Sequence, residues 1–117
     1  MSPTYSFVTH WRVQAPVEDV WNAIYLSEEW PQWWKDVVHV KETIKGDENG
    51  IGSIRSYKLR SPMLYSLKFD LLLTERKDNC LLKGIASGEL TGSGEWHFEQ
   101  RGAITDVKCY WNVSSTL

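Results

Sequence analysis

From residue 37 onward, the chain is a succession of segments in which apolar and polar residues alternate, separated by turn-forming residues. A period of two indicates strands that have one buried and one solvated face. The sequence predicts strands at 37–45, 53–60, 65–76, 80–87, 89–100 and 104–115, with turns at 46–52, 61–63, 77–79 and 101–103. Connections of hairpin length predict an antiparallel meander.

The region before residue 37 carries one further strand and two short helices. Residues 5–14 alternate with Phe7 and Trp11 on the apolar face, which predicts a half-buried strand. After Pro16, apolar residues recur at helical spacing, which predicts a helix ending near Ser27; they are Val17, Val20, Trp21 and Ile24. A second short helix is predicted to begin at Pro31 and to reach Asp36, because Pro31 disfavours helical geometry at the residue before it.

Length and charge limit the classes of protein that this chain can belong to. The 117 residues predict a single domain covering 1–117. The net charge of -2 gives no basic footprint, so no nucleic acid is expected as a partner. No apolar stretch is long enough to span a membrane and no signal peptide is evident, so a cytoplasmic location is expected.

Cys80 and Cys109 lack the spacing of a metal site, so no metal and no cofactor are expected. We expect two reduced, buried thiols. In a meander the strand 89–100 separates the two cysteines, which puts their Cα atoms roughly 9–10 Å apart. That distance exceeds the approximately 7 Å that a disulfide can bridge.

The predicted sheet has more apolar surface than the two helices can cover. Seven long strands leave an apolar face that must close on itself or be covered by another element. The chain ends at "NVSSTL", directly after a predicted strand. We therefore expect either a closed sheet or a covering helix after residue 117.

Five segments resemble the START-like (SRPBCC) superfamily, and within it the bacterial polyketide cyclase/dehydrase-type branch. They are "RVQAPVEDVWNAI", "EWPQWWKDV", "GIGSIRSY", "SGELTGSGEW" and "YWNVSST". The resemblance covers the whole chain, but its motifs mark the fold and none of them is catalytic.

The resemblance implies an α+β helix-grip fold: a seven-stranded curved antiparallel sheet with two short helices after strand 1. In that family a long C-terminal helix is gripped by the sheet and forms one wall of a deep apolar cavity. This sequence stops where that helix should start. We therefore expect about 25–30 residues to be missing after residue 117, the length of a helix that spans such a sheet.

The apolar face is predicted to form a concave surface that could hold an apolar ligand such as a lipid, polyketide or isoprenoid, although an ordinary packed core has the same pattern. Its residues are Phe7, Trp11, Tyr65, Leu67, Phe69, Leu71, Leu82, Leu90, Trp96, Phe98, Trp111 and Val113. The glycines at 84, 88, 92 and 94 indicate bends in the strands, and therefore curvature. From this set, Trp11, Phe69, Leu71, Trp96 and Trp111 are candidate ligand-binding residues.

Polar candidates for the cavity are few. Alternation in the strand 53–60 fits either face; we take Tyr57 to point inward, with Arg55 as a candidate anchor for a ligand carboxylate or phosphate. Alternation places Asp70 and Glu89 on the polar face, but a bend at Gly88 could turn Glu89 inward, so Glu89 is a further candidate.

The histidines are not predicted to take part in chemistry. His10, His39 and His97 are predicted to face outward, and none belongs to a nucleophile or metal motif. His97 shares a face with Glu95 and Glu99, which could bind a metal but is more typical of a solvated strand face.

The stretch "EEWPQWWKD" contains Trp30, Trp33 and Trp34. The acidic neighbours and the lack of a basic patch disfavour base stacking and membrane binding. Adjacent residues of a helix point about 100° apart, so Trp33 and Trp34 cannot point the same way. We predict that Trp30 and one of the pair fill the gap between helices and sheet, and we take Trp34 as the candidate at the cavity mouth.

Three functions remain open from the sequence. The first is binding or carriage of a hydrophobic small molecule, which is favoured because no catalytic motif is present. The second is a polyketide cyclase or dehydrase-type enzyme, which needs an ionisable residue facing the pocket. The third is an interaction module, including a homodimer formed through the open apolar face.

Overall fold

The computed structural model describes residues 4–60 and 66–115, so the predicted turn at 61–63 and Tyr65 lie outside the described residues. The elements follow the predicted order. They are β1 (Thr4–Val13), α1 (Val17–Tyr25), a 3-10 helix (Ser27–Gln32), β2 (Val37–Ile44), β3 (Ile54–Arg60), β4 (Ser66–Lys77), β5 (Leu81–Gly88), β6 (Leu90–Arg101) and β7 (Ile104–Ser115).

The strands form one antiparallel sheet in the order β1-β7-β6-β5-β4-β3-β2. The meander from β2 to β7 is therefore confirmed, and β1 is added beside β7. The predicted fold class is also confirmed: a curved sheet of seven antiparallel strands with two short helices after β1. Since β1 and β2 occupy opposite edges, the two helices connect one edge of the sheet to the other.

Helix α1 packs on β6 and β7 at one end of the concave face. Its predicted apolar stripe is buried at Val20, Trp21 and Ile24. The Trp21 ring meets Phe98 edge to face with the ring centroids 5.1 Å apart. Beneath them Val107 has no exposed surface, so this end of the sheet is an ordinary packed core.

The predicted start of the second helix at Pro31 is wrong, because the 3-10 helix begins at Ser27 and contains Pro31. The buried Trp30 side chain fixes this segment: its indole N–H donates to the carbonyl of Ala23 at 2.8 Å. The backbone N–H groups of Trp33 and Trp34 both donate to the Trp30 carbonyl, which closes the helix before Asp36.

Both cysteines are free thiols, and Cys109 is buried as predicted. The prediction that Cys80 is also buried is wrong, because Cys80 lies in the exposed turn before β5. Burial raises the pKa of Cys109 to about 12, so its thiol stays protonated at neutral pH.

Candidate ligand-binding cavity

A cavity of about 750 Å³ lies on the part of the concave face that α1 does not fill. Cavities of about 300–1,000 Å³ are typical of sites for small molecules. Its wall is rich in aromatic rings, contributed by Phe7, Trp11, Trp30, Trp34, Tyr57, Phe69, Trp96 and Trp111. The apolar face predicted from alternation therefore surrounds open space in this region.

Most of the predicted ligand-binding residues come together on this wall. They are Trp11, Trp34, Tyr57, Phe69, Leu71, Trp96 and Trp111. Tyr57 is buried and stacks on Phe69, which confirms the predicted inward direction of Tyr57 on β3. Trp96 and Trp111 meet edge to face with the ring centroids 5.1 Å apart.

Two predicted wall residues lie elsewhere in the core. Phe98 belongs to the packed region under Trp21. Leu82 lines a second, smaller cavity of about 50 Å³ that adjoins the first. Arg55 lines this smaller cavity and not the large one, so the predicted anchor lies beside the large cavity.

Glu89 is placed off the wall of both cavities. The bend at Gly88 is present, with a φ of 111° that favours glycine. However, the Glu89 carboxylate accepts a hydrogen bond from the backbone N–H of Lys68 at 2.6 Å. The bend therefore directs Glu89 to the neighbouring strand, and Glu89 is not part of the candidate site.

Small residues on β5 and β6 form the floor of the concave face. Gly84 pairs with Gly94, and Ala86 pairs with Gly92 across the two strands. A Cβ atom at Gly94 would lie 2.6 Å from Cζ3 of Trp111, so the indole ring rests directly on this glycine. The glycines therefore deepen the concave face as well as bending the strands, because neighbouring side chains such as Trp111 can lie directly against the sheet.

A hydrogen-bonded polar cluster lies between the smaller cavity and the 3-10 helix. The Ser27 hydroxyl lies 2.8 Å from the Tyr57 hydroxyl. Arg55 Nη1 donates to Ser27 Oγ at 2.9 Å and also to the Tyr25 carbonyl. Burial raises the pKa of Tyr57, and the hydrogen bond to Ser27 offsets part of that rise. Tyr57 is therefore a neutral phenol at physiological pH.

The three tryptophans of the 3-10 helix region occupy different positions. Trp30 is buried and lies 5.3 Å from Trp34 between ring centroids. Trp34 lines the large cavity, whereas Trp33 is 57% exposed and stacks on the outer side of Trp34. The burial of Trp30 and the position of Trp34 on the wall agree with the prediction, but the prediction that the second residue of the pair fills the gap is wrong, because Trp33 is exposed.

Sequence reasoning missed several polar residues near the cavities, among them Asp36, Arg60 and Ser27. Asp36 and Arg60 line the large cavity, where the Arg60 N–H donates to the Asp36 carbonyl at 2.7 Å. Ser27 is almost completely buried and lines the smaller cavity. The apolar alternation signal carries no information on Ser27, because that residue stands at a junction between two helices.

The histidines occupy exposed positions, as predicted from alternation. His10 lies 3.3 Å from Asp106, and His97 lies 3.1 Å from Glu95. Within 4–60 and 66–115 no group of three or more His, Cys, Asp or Glu side chains is placed to hold a metal ion. Over the same ranges, no helix has the length and apolarity required to cross a bilayer.

No protein-family profile matches the chain, and no curated protein sequence matches it either. Solved structures do match. A START superfamily protein from Mycobacterium smegmatis superposes with a TM-score of 0.82 at 13% identity, over 96% of this chain and 78% of that chain. The Zhui aromatase/cyclase from Streptomyces sp. R1128 gives a TM-score of 0.75 at 12% identity, over 98% and 70%.

The di-domain aromatase/cyclase StfQ from the steffimycin biosynthetic pathway also matches, with a TM-score of 0.75 at 13% identity. The match covers 96% of this chain but only 37% of StfQ, so the chain spans little more than a third of that protein. These similarities show the fold. The chain has the architecture of START superfamily proteins and aromatase/cyclases, as the sequence resemblance implied.

Proposed function

We propose that this protein binds a hydrophobic small molecule, such as a lipid, a polyketide or an isoprenoid-like compound, in the large cavity. The observation that carries the proposal is the cavity of about 750 Å³ with walls made largely of aromatic and aliphatic side chains. Apolar surface that packs against no protein atoms becomes favourable once a ligand removes it from water. The START-like neighbours support the proposal at the level of fold.

The test is ligand-dependent stabilisation. A panel of fatty acids, isoprenoid alcohols and polycyclic aromatic compounds is added to the purified protein, and the melting temperature is recorded for each. A ligand that binds the native state raises the melting temperature in proportion to the logarithm of its free concentration over Kd. The same samples are passed over size-exclusion chromatography, because a homodimer formed through the apolar face would occupy the cavity.

The matched variants are Phe69→Ala in the cavity wall and Val8→Ala on the outer face. Phe69 lines the cavity, whereas Val8 is 69% exposed on the opposite side of the sheet. Phe69→Ala is expected to lower ligand affinity about tenfold or more, since it removes most of an aromatic contact surface. An absence of stabilisation by every compound, with a monomeric protein throughout, contradicts the proposal.

A second candidate function is a cyclase or dehydrase-type enzyme. The observation that favours it is the phenol of Tyr57, an ionisable group on an otherwise mostly apolar wall. A neutral phenol can donate a proton or a hydrogen bond to a carbonyl oxygen as negative charge develops there. Incubation with a linear poly-β-ketone thioester, followed by mass spectrometry, tests this function. Cyclised product that depends on Tyr57 supports it, and a product ratio identical to the buffer control rejects it.

A further inference from the structure

The smaller cavity, called the annex here, adjoins the large cavity through a common wall. Both cavities are lined by Ile24, Trp30, Tyr57, Leu71 and Trp96. The annex has a volume of about 50 Å³, which suits a group of a few atoms and not a ligand body. Its lining is mostly apolar and includes the polar residues Ser27, Ser53 and Arg55.

The hydrogen bonds at the annex leave donors available. Arg55 carries no acceptor, so Ser27 Oγ must accept the hydrogen bond from Arg55 Nη1. The Ser27 hydrogen can then be donated to Tyr57, and the Tyr57 hydrogen is released for a third group. Arg55 Nε, which is fully shielded from solvent, finds no hydrogen-bond acceptor among the described residues.

The charge at the annex is positive. Its lining includes Arg55 and Lys83 and, among the described residues, no carboxylate. Both cations have an acidic neighbour, and Lys83 Nζ lies 3.5 Å from Glu95. The nearest acid to Arg55 is Glu42, whose carboxylate lies 3.9 Å from Arg55 Nε, beyond hydrogen-bond distance.

We propose that the annex is a subsite for a carboxylate, which terminates a ligand whose apolar body lies in the large cavity. Tyr57 lines both cavities and Arg55 lines the annex, so the Tyr57 hydroxyl and Arg55 Nε are the donors proposed for the carboxylate. A carboxylate accepts several hydrogen bonds in one plane and is compact enough for the annex. This inference rests on the proposed function, because the body of the ligand must occupy the large cavity.

Burial supports this role for Tyr57. The raised pKa of Tyr57 keeps the phenol protonated, and only the protonated phenol can donate to a carboxylate. A deprotonated phenol would repel the same group.

The experiment compares acids with their methyl esters. Palmitic acid and methyl palmitate form one pair, and anthracene-2-carboxylic acid and its methyl ester form the other. Each pair shares an apolar body, so the ratio of the two affinities reports only on the polar end. At least one of the two apolar bodies should fit the large cavity. For that pair, we expect the wild type to bind the acid about tenfold or more tightly than the methyl ester, as measured by calorimetry or fluorescence.

Two variants and one control show which residues cause the preference for the acid. Tyr57→Phe and Arg55→Gln should bring the acid-to-ester ratio close to one, because each removes a donor to the carboxylate. Arg76→Gln is the matched control: Arg76, like Arg55, lies against the Tyr25 ring, but it lines neither cavity. It should keep the wild-type ratio.

The outcomes separate this inference from the proposed function. Equal affinity for acid and ester in the wild type overturns the carboxylate subsite and leaves the cavity proposal standing. A lack of binding by all four compounds and by the wider panel overturns the proposed function itself. If Arg55→Gln fails to fold, Tyr57→Phe decides, because it removes only one oxygen; an unchanged ratio in that variant overturns the inference.

Discussion

The two ends of the concave face are built from the same strands but serve different purposes. Near the start of β7, Val107 has no exposed surface and Phe98 opposite it is 5% exposed, because α1 covers both. Further along, Trp111 pairs with Phe7, which is 51% exposed at the sheet edge, and both line the cavity. The apolar side chains of both regions therefore point to the concave face. Whether such a side chain packs in the core or lines the cavity depends on whether α1 covers it.

The largest expected effect separates two phenylalanines on this face. Phe98→Ala should lower the free energy of unfolding by about 3–5 kcal/mol, since it leaves a cavity under α1. Phe7→Ala should lower it by less than about 1 kcal/mol, because half of the Phe7 surface is already exposed. Urea unfolding of the two variants measures both values. Similar losses would contradict the division of the face into a packed end and an open end.

The next effect concerns the floor of the cavity. Gly94→Ala places a methyl group against the Trp111 ring, which must move away from the sheet. We expect a loss of about 1–3 kcal/mol in unfolding free energy and a changed ligand preference, because the ring moves into the cavity. Ser93→Ala, on the exposed face of the same strand, is the control and should leave both quantities unchanged.

A smaller effect is the difference in reactivity between the two thiols. At pH 8, iodoacetamide should modify Cys80 readily and spare Cys109, because only the thiolate reacts and burial raises the pKa of Cys109 to about 12. Mass spectrometry of Cys80→Ser against Cys109→Ser separates the two sites. Fast modification of Cys109 in the folded protein would contradict its burial.

The same shift makes a prediction for alkaline pH. The folded-state pKa of Cys109 is raised above its ordinary value of 9.0, so the native state holds the proton more tightly than the unfolded state. This contribution to stability is complete below pH 9 and is lost as the pH rises towards about 12. Cys109→Ala should therefore lose less stability than the wild type over that range. Parallel losses in the two proteins would contradict the shift.

The smallest effect is expected on the outer face. The hydrogen bond from His97 lowers the pKa of Glu95, so its stabilising contribution is present above the ordinary pKa of 4.5 and is lost as the pH falls through the lower folded value. Since the pair is exposed and screened by solvent, Glu95→Gln should leave the unfolding free energy nearly unchanged at neutral pH. A loss as large as that of Gly94→Ala would show that the outer face is energetically important.

Alternation predicted the sheet well because a strand in a curved sheet has one solvated face. Trp111 was assigned to the cavity side from alternation, and it lines the cavity. Alternation in β3 fitted either face, and Tyr57 also lines the cavity. Predictions from alternation were wrong or silent where the backbone departs from regular strand geometry. Glu89 follows the bend at Gly88, and its carboxylate accepts a hydrogen bond from the Lys68 amide on the neighbouring strand. Ser27 stands between two helices, where no period applies.

The start of the 3-10 helix was missed for a related reason. The effect of Pro31 on Trp30 is a preference, and here a 3-10 helix contains both residues. The Trp30 indole donates to the Ala23 carbonyl, a contact that the local sequence does not reveal. The annex could not be predicted from the sequence either. Its polar lining combines β3 with a serine from the helical region, and the contact between them exists only in three dimensions.

The pairing of β1 with β7 has a consequence for how the chain folds. Residues 4–13 of β1 pair with residues 105–114 of β7, so nearly the whole described chain lies between the two partners. The local hairpins from β2 to β7 are expected to form early, and β1 late, because β1 must close the longest loop. We therefore expect the sheet edge that completes the cavity to assemble last, so that ligand binding follows the final step of folding.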